Sequence, residues 1–292
     1  MTDAAARSFS VDLGSIPLCP VGDEPFSEPR FTRRSLRHTF TIHEVAVVFV
    51  NVCNWGWEDG PIIPGHPEWS FEHGRSHAIR KRAIVEKVLD PIVTAARHTG
   101  VHICHANLPA VLARYPTWKA TGAVGAAAEA SQPESPTATE DGWPPAAWAD
   151  AWRRQQQARV WGKGTAWQTA LAQAGTRLDI PAPLRPLPGE WLVAAAEPLH
   201  RLLEANGVRV LLYAGFEADG ALWDGPCGMA RLMDRGYLCV AIREGTTAVE
   251  SADSFRGLWR TRCAVEDLER GGAYTVSATE LRAAWSAVAP QP

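Results

Sequence analysis

VRVLLYAGFEADGALWDGPCGMARLMDRGYLCVAIREGTTAV, residues 208–249, reads as a complete strand–turn–helix–strand unit. Val208 to Tyr213 is a short apolar run rich in branched side chains, as expected of a strand buried on both faces. Ala214-Gly215 ends it, and 216–221 forms a polar, small-residue connection. From about Asp224 to Arg235, Met229, Leu232 and Met233 recur at helical spacing, and Gly236 stands where a helix C-cap is expected. Leu238 to Ile242 is a second strand and leads into a Thr-rich loop. Such a unit makes a right-handed parallel crossover, and ligands in these sheets bind beyond the carboxyl ends of the strands. Residues 215–221 are therefore the first place to look for chemistry.

The same pattern extends in both directions. Val45 to Val50 (VAVVFV) is an apolar strand ending at Asn51-Val52-Cys53-Asn54, and a loop carrying Trp55, Trp57, His66 and Trp69 comes after it. Residues 76–99 read as one long helix, with Ile79, Ala83, Ile84, Val88, Ile92 and Ala95 spaced by three and four and Gly100 closing it. Val101 to His105 is the next strand. The 120–147 segment is rich in Ala, Gly, Ser, Pro and Glu without apolar periodicity, a pattern expected of a flexible insertion. Helical character returns over 148–174. Further elements are a short strand at 191–193, a helix from Pro198 to Asn206, a helix within 254–269, a strand at 273–276 and a helix at 278–288. Residues 1–40, with Pro17, Pro20, Pro25 and Pro29, read as an N-terminal arm lying over the domain or a partner subunit. The expected organisation is that arm and then one domain, 41–290, with an insertion at about 119–190. The expected fold is an α/β, three-layer open parallel sheet.

Composition narrows the function classes. The 292 residues suffice for one large domain, and 46% apolar with 21% charged residues is ordinary for a globular chain. A net charge of −3 gives no electrostatic reason to expect a nucleic acid or membrane surface as partner. Arg80-Lys81-Arg82 reads as the solvated face of a helix. Lysine is scarce beside arginine and alanine is abundant, a bias of GC-rich bacterial genomes. Six cysteines without a CxxC pair, and no apolar leader at the N-terminus, point to reduced thiols and a cytoplasmic location. No glycine-rich phosphate loop comes after a strand, and no cofactor is expected.

Several stretches together resemble the isochorismatase-like cysteine hydrolases. AGFEADGAL (214–222), DRGY (234–237) and the Thr-rich loop resemble the family's nucleophile turn with its next helix, strand and loop; VFVNVCN (48–54) resembles its strand ending in the catalytic Asp. AARHTGVHICHAN (95–107) resembles its second crossover. The resemblance covers roughly 42–118 and 190–285. It implies an isochorismatase-like, Rossmann-like fold, a small-molecule substrate and self-association as a homo-oligomer. It also implies an Asp–Lys–Cys triad, and here this chain departs. The Asp falls on Asn51, the Cys on Ala221, and 193–196 offers no Lys. An amide cannot take up a proton at neutral pH, and an alanine cannot form a covalent intermediate.

These departures leave two classes of function. One is a hydrolase-fold enzyme of specialised metabolism, using acid/base groups around Asn51 and Ala221 without a covalent nucleophile. Its candidates are His105, which titrates near neutrality, and Glu217 and Asp219 in the turn; structural histidine, surface Glu and turn-orienting Asp are the plainer readings. The other class is a catalytically silent member that binds a ligand or partners another subunit. Cys53, Trp55, Trp57, Trp161 and Trp223 could line an aromatic pocket, or the indoles could cover the sheet edge. Cys227, six residues beyond Ala221, is expected to point elsewhere as apolar filler. His73 and His77 are four apart and His66 is near, yet without an Asp at the family's position no metal is expected.

Overall fold

The computed structural model describes residues 7–20, 22–62, 71–120, 143, 145–160 and 164–289. Eight strands form one sheet: β1 (Ser8–Ser15), β2 (Arg34–Thr41), β3 (Val45–Val50), β4 (His102–Ala106), β5 (Trp191–Val193), β6 (Val210–Phe216), β7 (Leu238–Thr247) and β8 (Tyr274–Val276). Their order is β2-β1-β8-β7-β6-β3-β4-β5, with β8 through β5 parallel and the β1–β2 hairpin antiparallel at one edge. The chain leaves β3 for β4 and β5 on one side and returns to β6, β7 and β8 on the other. The point between β3 and β6 is thus the topological switch, where ligand crevices open in such sheets.

Every residue of β3 and β6 is buried, because helices cover both faces. On one face α1 (Arg75–Ile84), α2 (Asp90–Thr99) and α11 (Ala278–Val288) pack over Val45, Val47, Phe49, Leu212 and Val240. The opposite face, with Ala46, Val48, Leu211, Tyr213 and Ala241, is covered by the segments from 196 to 233 and from 259 to 270. Those comprise α7 (Ala196–Ala205), α8 (Ala221–Asp224), α9 (Met229–Met233) and α10 (Trp259–Arg270). The remaining helices are α3 (Pro109–Leu112), α4 (Pro116–Ala120), α5 (Ala146–Val160) and α6 (Gly164–Gly175).

Three local readings change. The single helix expected over 76–99 contains a π turn, Val85–Leu89, just before Pro91, whose ring nitrogen cannot donate to the preceding turn. The helix expected over 224–235 is two short pieces, interrupted where Gly225, Pro226 and Gly228 stand. The segment expected as an arm instead contributes β1 and β2, with Phe9, Val11 and Leu13 facing the core. Phe9 lies edge-on to the buried Trp285 of α11, with centroids 5.9 Å apart. Most of the 120–147 stretch, expected to be flexible, lies outside the described residues.

Candidate functional site

A crevice of about 140 Å³ opens at the switch point, beyond the carboxyl ends of β3, β4 and β5. Val50 and Asn51 supply one wall, Ala106 and Asn107 the next, Ala194 a third, and Ala221 with Pro226 and Cys227 the last. The strand ends stay laddered past their formal limits: the Asn51 amide donates to the Ala106 carbonyl at 2.9 Å and that of Asn107 to the Val193 carbonyl at 3.0 Å. Asn51 adopts a left-handed φ of 49°, which asparagine tolerates better than most residues. Behind it, Gly215 has φ 124°, and a Cβ there would stand 2.0 Å from the Val50 carbonyl oxygen. Only glycine lets β6 approach β3 so closely.

Asn107 is locked in place. Its Oδ1 accepts from the Cys53 thiol at 3.1 Å and from the Leu108 amide at 2.9 Å, while Nδ2 donates to the Val52 carbonyl at 3.1 Å. Cys53 thus braces the crevice from behind. Burial pushes its pKa up to about 12, so it remains a thiol at neutral pH. Cys227 is raised to about 12 by the same cause. Among the described residues, no side chain lining the crevice carries a charge at neutral pH.

The acid/base candidates stand elsewhere. His105 alternates away from Ala106 into the opposite layer, where its ring stacks on Phe49 at 5.7 Å and Nε2 lies 2.8 Å from Glu190. Burial lowers its pKa, outweighing the pull of Glu190. The expectation that His105 flanks Asn51 over the site gives way to a core histidine, because strand alternation turns it from the crevice. Asp219 receives a 2.8 Å hydrogen bond from Arg260 Nε. Glu217 points towards α1, where Lys81 Nζ lies 3.2 Å and His77 Nε2 3.3 Å from its Oε1. Burial works against the Glu217 charge, but the hydrogen bond from His77 and the Lys81 charge hold its pKa at about 2. Lys81, itself buried, also meets Glu72 at 3.3 Å; the two carboxylates outweigh burial and raise its pKa. Arg80 Nη2 donates to His77 Nδ1 at 3.0 Å, which leaves the proton of a neutral His77 on Nε2, facing Glu217.

Glu72, His73 and Glu217 bring ligand atoms within 4.8 Å of one another, the one such grouping of three among the described residues. The Lys81 ammonium already stands between the two carboxylates, 3.3 Å from Glu72 and 3.2 Å from Glu217.

Of the expected binding residues that are described, none lines the crevice. Trp55 is buried in the core beneath α1, Trp57 packs beside it under the Arg82 guanidinium at 4.9 Å, and Trp223 lies against α10. Trp161 and His66 fall outside the described residues. Cys227, expected to point elsewhere, belongs to the lining, because the chain breaks at Gly225-Pro226 and folds back. Asn107, Ala194, Leu108 and Pro109 carry no motif that singles them out; Asn107 comes after β4 as Asn51 comes after β3, and that shared placement is the readable signal.

Comparison with solved structures supports the architecture. A cysteine hydrolase from Pseudomonas syringae pv. phaseolicola 1448A superposes with a TM-score of 0.50 at 12% identity, covering 85% of this chain and 95% of that one. An isochorismatase family protein from Desulfovibrio vulgaris subsp. vulgaris str. Hildenborough matches with a TM-score of 0.45 at 17% identity, over 83% of this chain and 98% of its own. At such identity the first likeness shows the fold, and it is the three-layer α/β fold that the sequence resemblance implies. No protein-family model and no curated protein matches the chain. Among the described residues no helix is long and apolar enough to cross a membrane.

Proposed function

We propose that this chain uses a hydrolase fold to bind a small uncharged molecule at the switch-point crevice and does not hydrolyse it. The observation that carries this reading is the lining itself. Asn51 and Ala221 stand where the resemblance implies Asp and Cys, 193–196 offers no Lys, and the two thiols nearest, Cys53 and Cys227, are held protonated. Proton transfer needs a group of suitable pKa within hydrogen-bond reach of the reacting atom, directly or through one water. His105 is hydrogen-bonded to Glu190, and Glu217 and Asp219 are engaged in ion pairs, all away from this lining.

The remaining chemistry suits recognition. Asn51 offers both a carbonyl acceptor and an amide donor, while Val50, Ala106, Leu108 and Pro109 supply apolar contact. An ionic ligand would lose its water without a counter-charge, which is strongly unfavourable. Equilibrium dialysis of the protein against a mixed metabolite extract, read by mass spectrometry, tests this. The expected enrichment is of neutral compounds of unchanged mass, lost in an Ala194→Leu variant that narrows the crevice. Pairs of products whose masses together exceed a compound's by one water, or enrichment of organic ions dependent on Ala194, would overturn the reading.

A further inference from the structure

The turn that borders the crevice walls a second cavity with its other side. Ala221 faces the first; Trp223, two residues on, faces the second, about 280 Å³ in volume. Its opposite wall is one face of α10, where Arg260, Ala264, Asp267 and Leu268 recur at helical spacing, and Asp219 completes the rim. The two cavities share no lining residue.

The chemistry of this second cavity differs from that of the first. Ala264 and Leu268 are buried and form an apolar floor beside the indole of Trp223. That indole lies against Gly271, where a Cβ would meet its Cη2 at 3.0 Å. Three charges surround the floor. Arg260 aims Nε at Asp219 Oδ2 at 2.8 Å, and its four amino N–H donors have no partner among the described residues. Asp219 keeps its second oxygen, and among the described residues the Asp267 carboxylate has an ion pair with Arg270 at 3.9 Å, one turn along the helix, and feels the Arg260 charge.

We propose that this cavity binds a small amphoteric molecule of the α-amino-acid type with an apolar side chain. The carboxylate takes the free amino edge of Arg260, a planar fork suited to carboxylates. The ammonium group lies between Asp219 and Asp267, and the side chain covers Ala264, Leu268 and Trp223. An anion without the ammonium would face two carboxylates unaccompanied. An amine without the carboxylate would leave the amino edge of Arg260 to water and forgo that contact. A zwitterion places an opposite charge against both kinds of group, and the volume matches a molecule below drug size. This proposal stands on a different cavity from the crevice and does not depend on what binds there.

Calorimetric titration of the full chain with L-leucine tests it, beside two analogues that each lack one charge, 4-methylpentanoate and isopentylamine. Leucine is expected to bind, and each analogue to bind weaker by on the order of ten-fold or more. Arg260→Gln and Asp267→Asn, both at exposed side chains, should each weaken leucine by about ten-fold. Ala264→Leu, which fills the floor, should abolish binding, and Ala194→Leu in the other cavity should leave the leucine affinity where it is. Circular dichroism identifies any variant that does not fold, and the two exposed-site variants then decide. No heat with leucine, an analogue equal to leucine, unchanged affinity in both exposed-site variants, or loss of binding in Ala194→Leu would each overturn the proposal.

Discussion

Asn51, Ala194 and Ala221 line the crevice just beyond β3, just beyond β5 and at the start of α8. None of the three can exchange a proton at neutral pH, and the groups that could are committed elsewhere. Glu217 is the clearest instance. Its folded pKa of about 2 lies below the ordinary 4.5, so its ionised form is favoured by the fold. The sign is direct: this stabilisation is fully present above pH 4.5 and is lost as pH falls through about 2. A Glu217→Gln variant should lose on the order of 3 kcal/mol at pH 7 and show a flatter decline between pH 4.5 and 2. Urea unfolding across that range measures both; an unchanged slope would show that the Lys81–Glu217–His77 cluster is not what holds the carboxylate ionised.

At the scale of elements, the crevice exists because β3 and β6 diverge in topology while staying in register, Val45 with Val210 through Val50 with Gly215. Gly215 sets that spacing. With its Cβ only 2.0 Å from the Val50 oxygen, Gly215→Ala should destabilise the protein by at least about 3 kcal/mol, since the strands must part or the backbone leave φ 124°. Denaturant midpoints check this, and a loss below about 1 kcal/mol would mean that the β3–β6 approach is soft. Sequence reading finds both strands and places Gly215 at an end; β6 in fact runs through it to Phe216. Apolar run length cannot reveal such an extension, because Gly215 is tolerated there only through its contact with another strand. The break in the helix over 224–235 has a local cause that is legible in the chain: Gly225-Pro226 and Gly228 interrupt it.

Over the whole molecule, the β1–β2 hairpin extends the parallel sheet, and β1 packs against α11. Phe9, Leu13 and Trp285 join one core with strands more than two hundred residues away. Phe9→Ala is therefore expected to lower stability by about 3–5 kcal/mol, the range for a large aromatic removed from a close-packed core. Thermal or urea unfolding measures it, and a value near zero would return the hairpin to the status of a loose arm. The Phe9-Val11-Leu13 alternation is readable, but the prolines around it and the exposed face of β2 hide the hairpin.

Periodicity and residue type alone establish the layered α/β architecture, the parallel crossovers and the absence of ionisable groups at Asn51 and Ala221. These are local properties of the chain. Which side chains share a cavity is a matter of tertiary contact. The folded arrangement turns His105 into the core, draws Glu217 to Lys81, pairs Asp219 with Arg260, and brings Asn107, Ala194 and Cys227 to one crevice. A strand sends successive side chains to opposite layers, so proximity in sequence says little about which space a side chain enters.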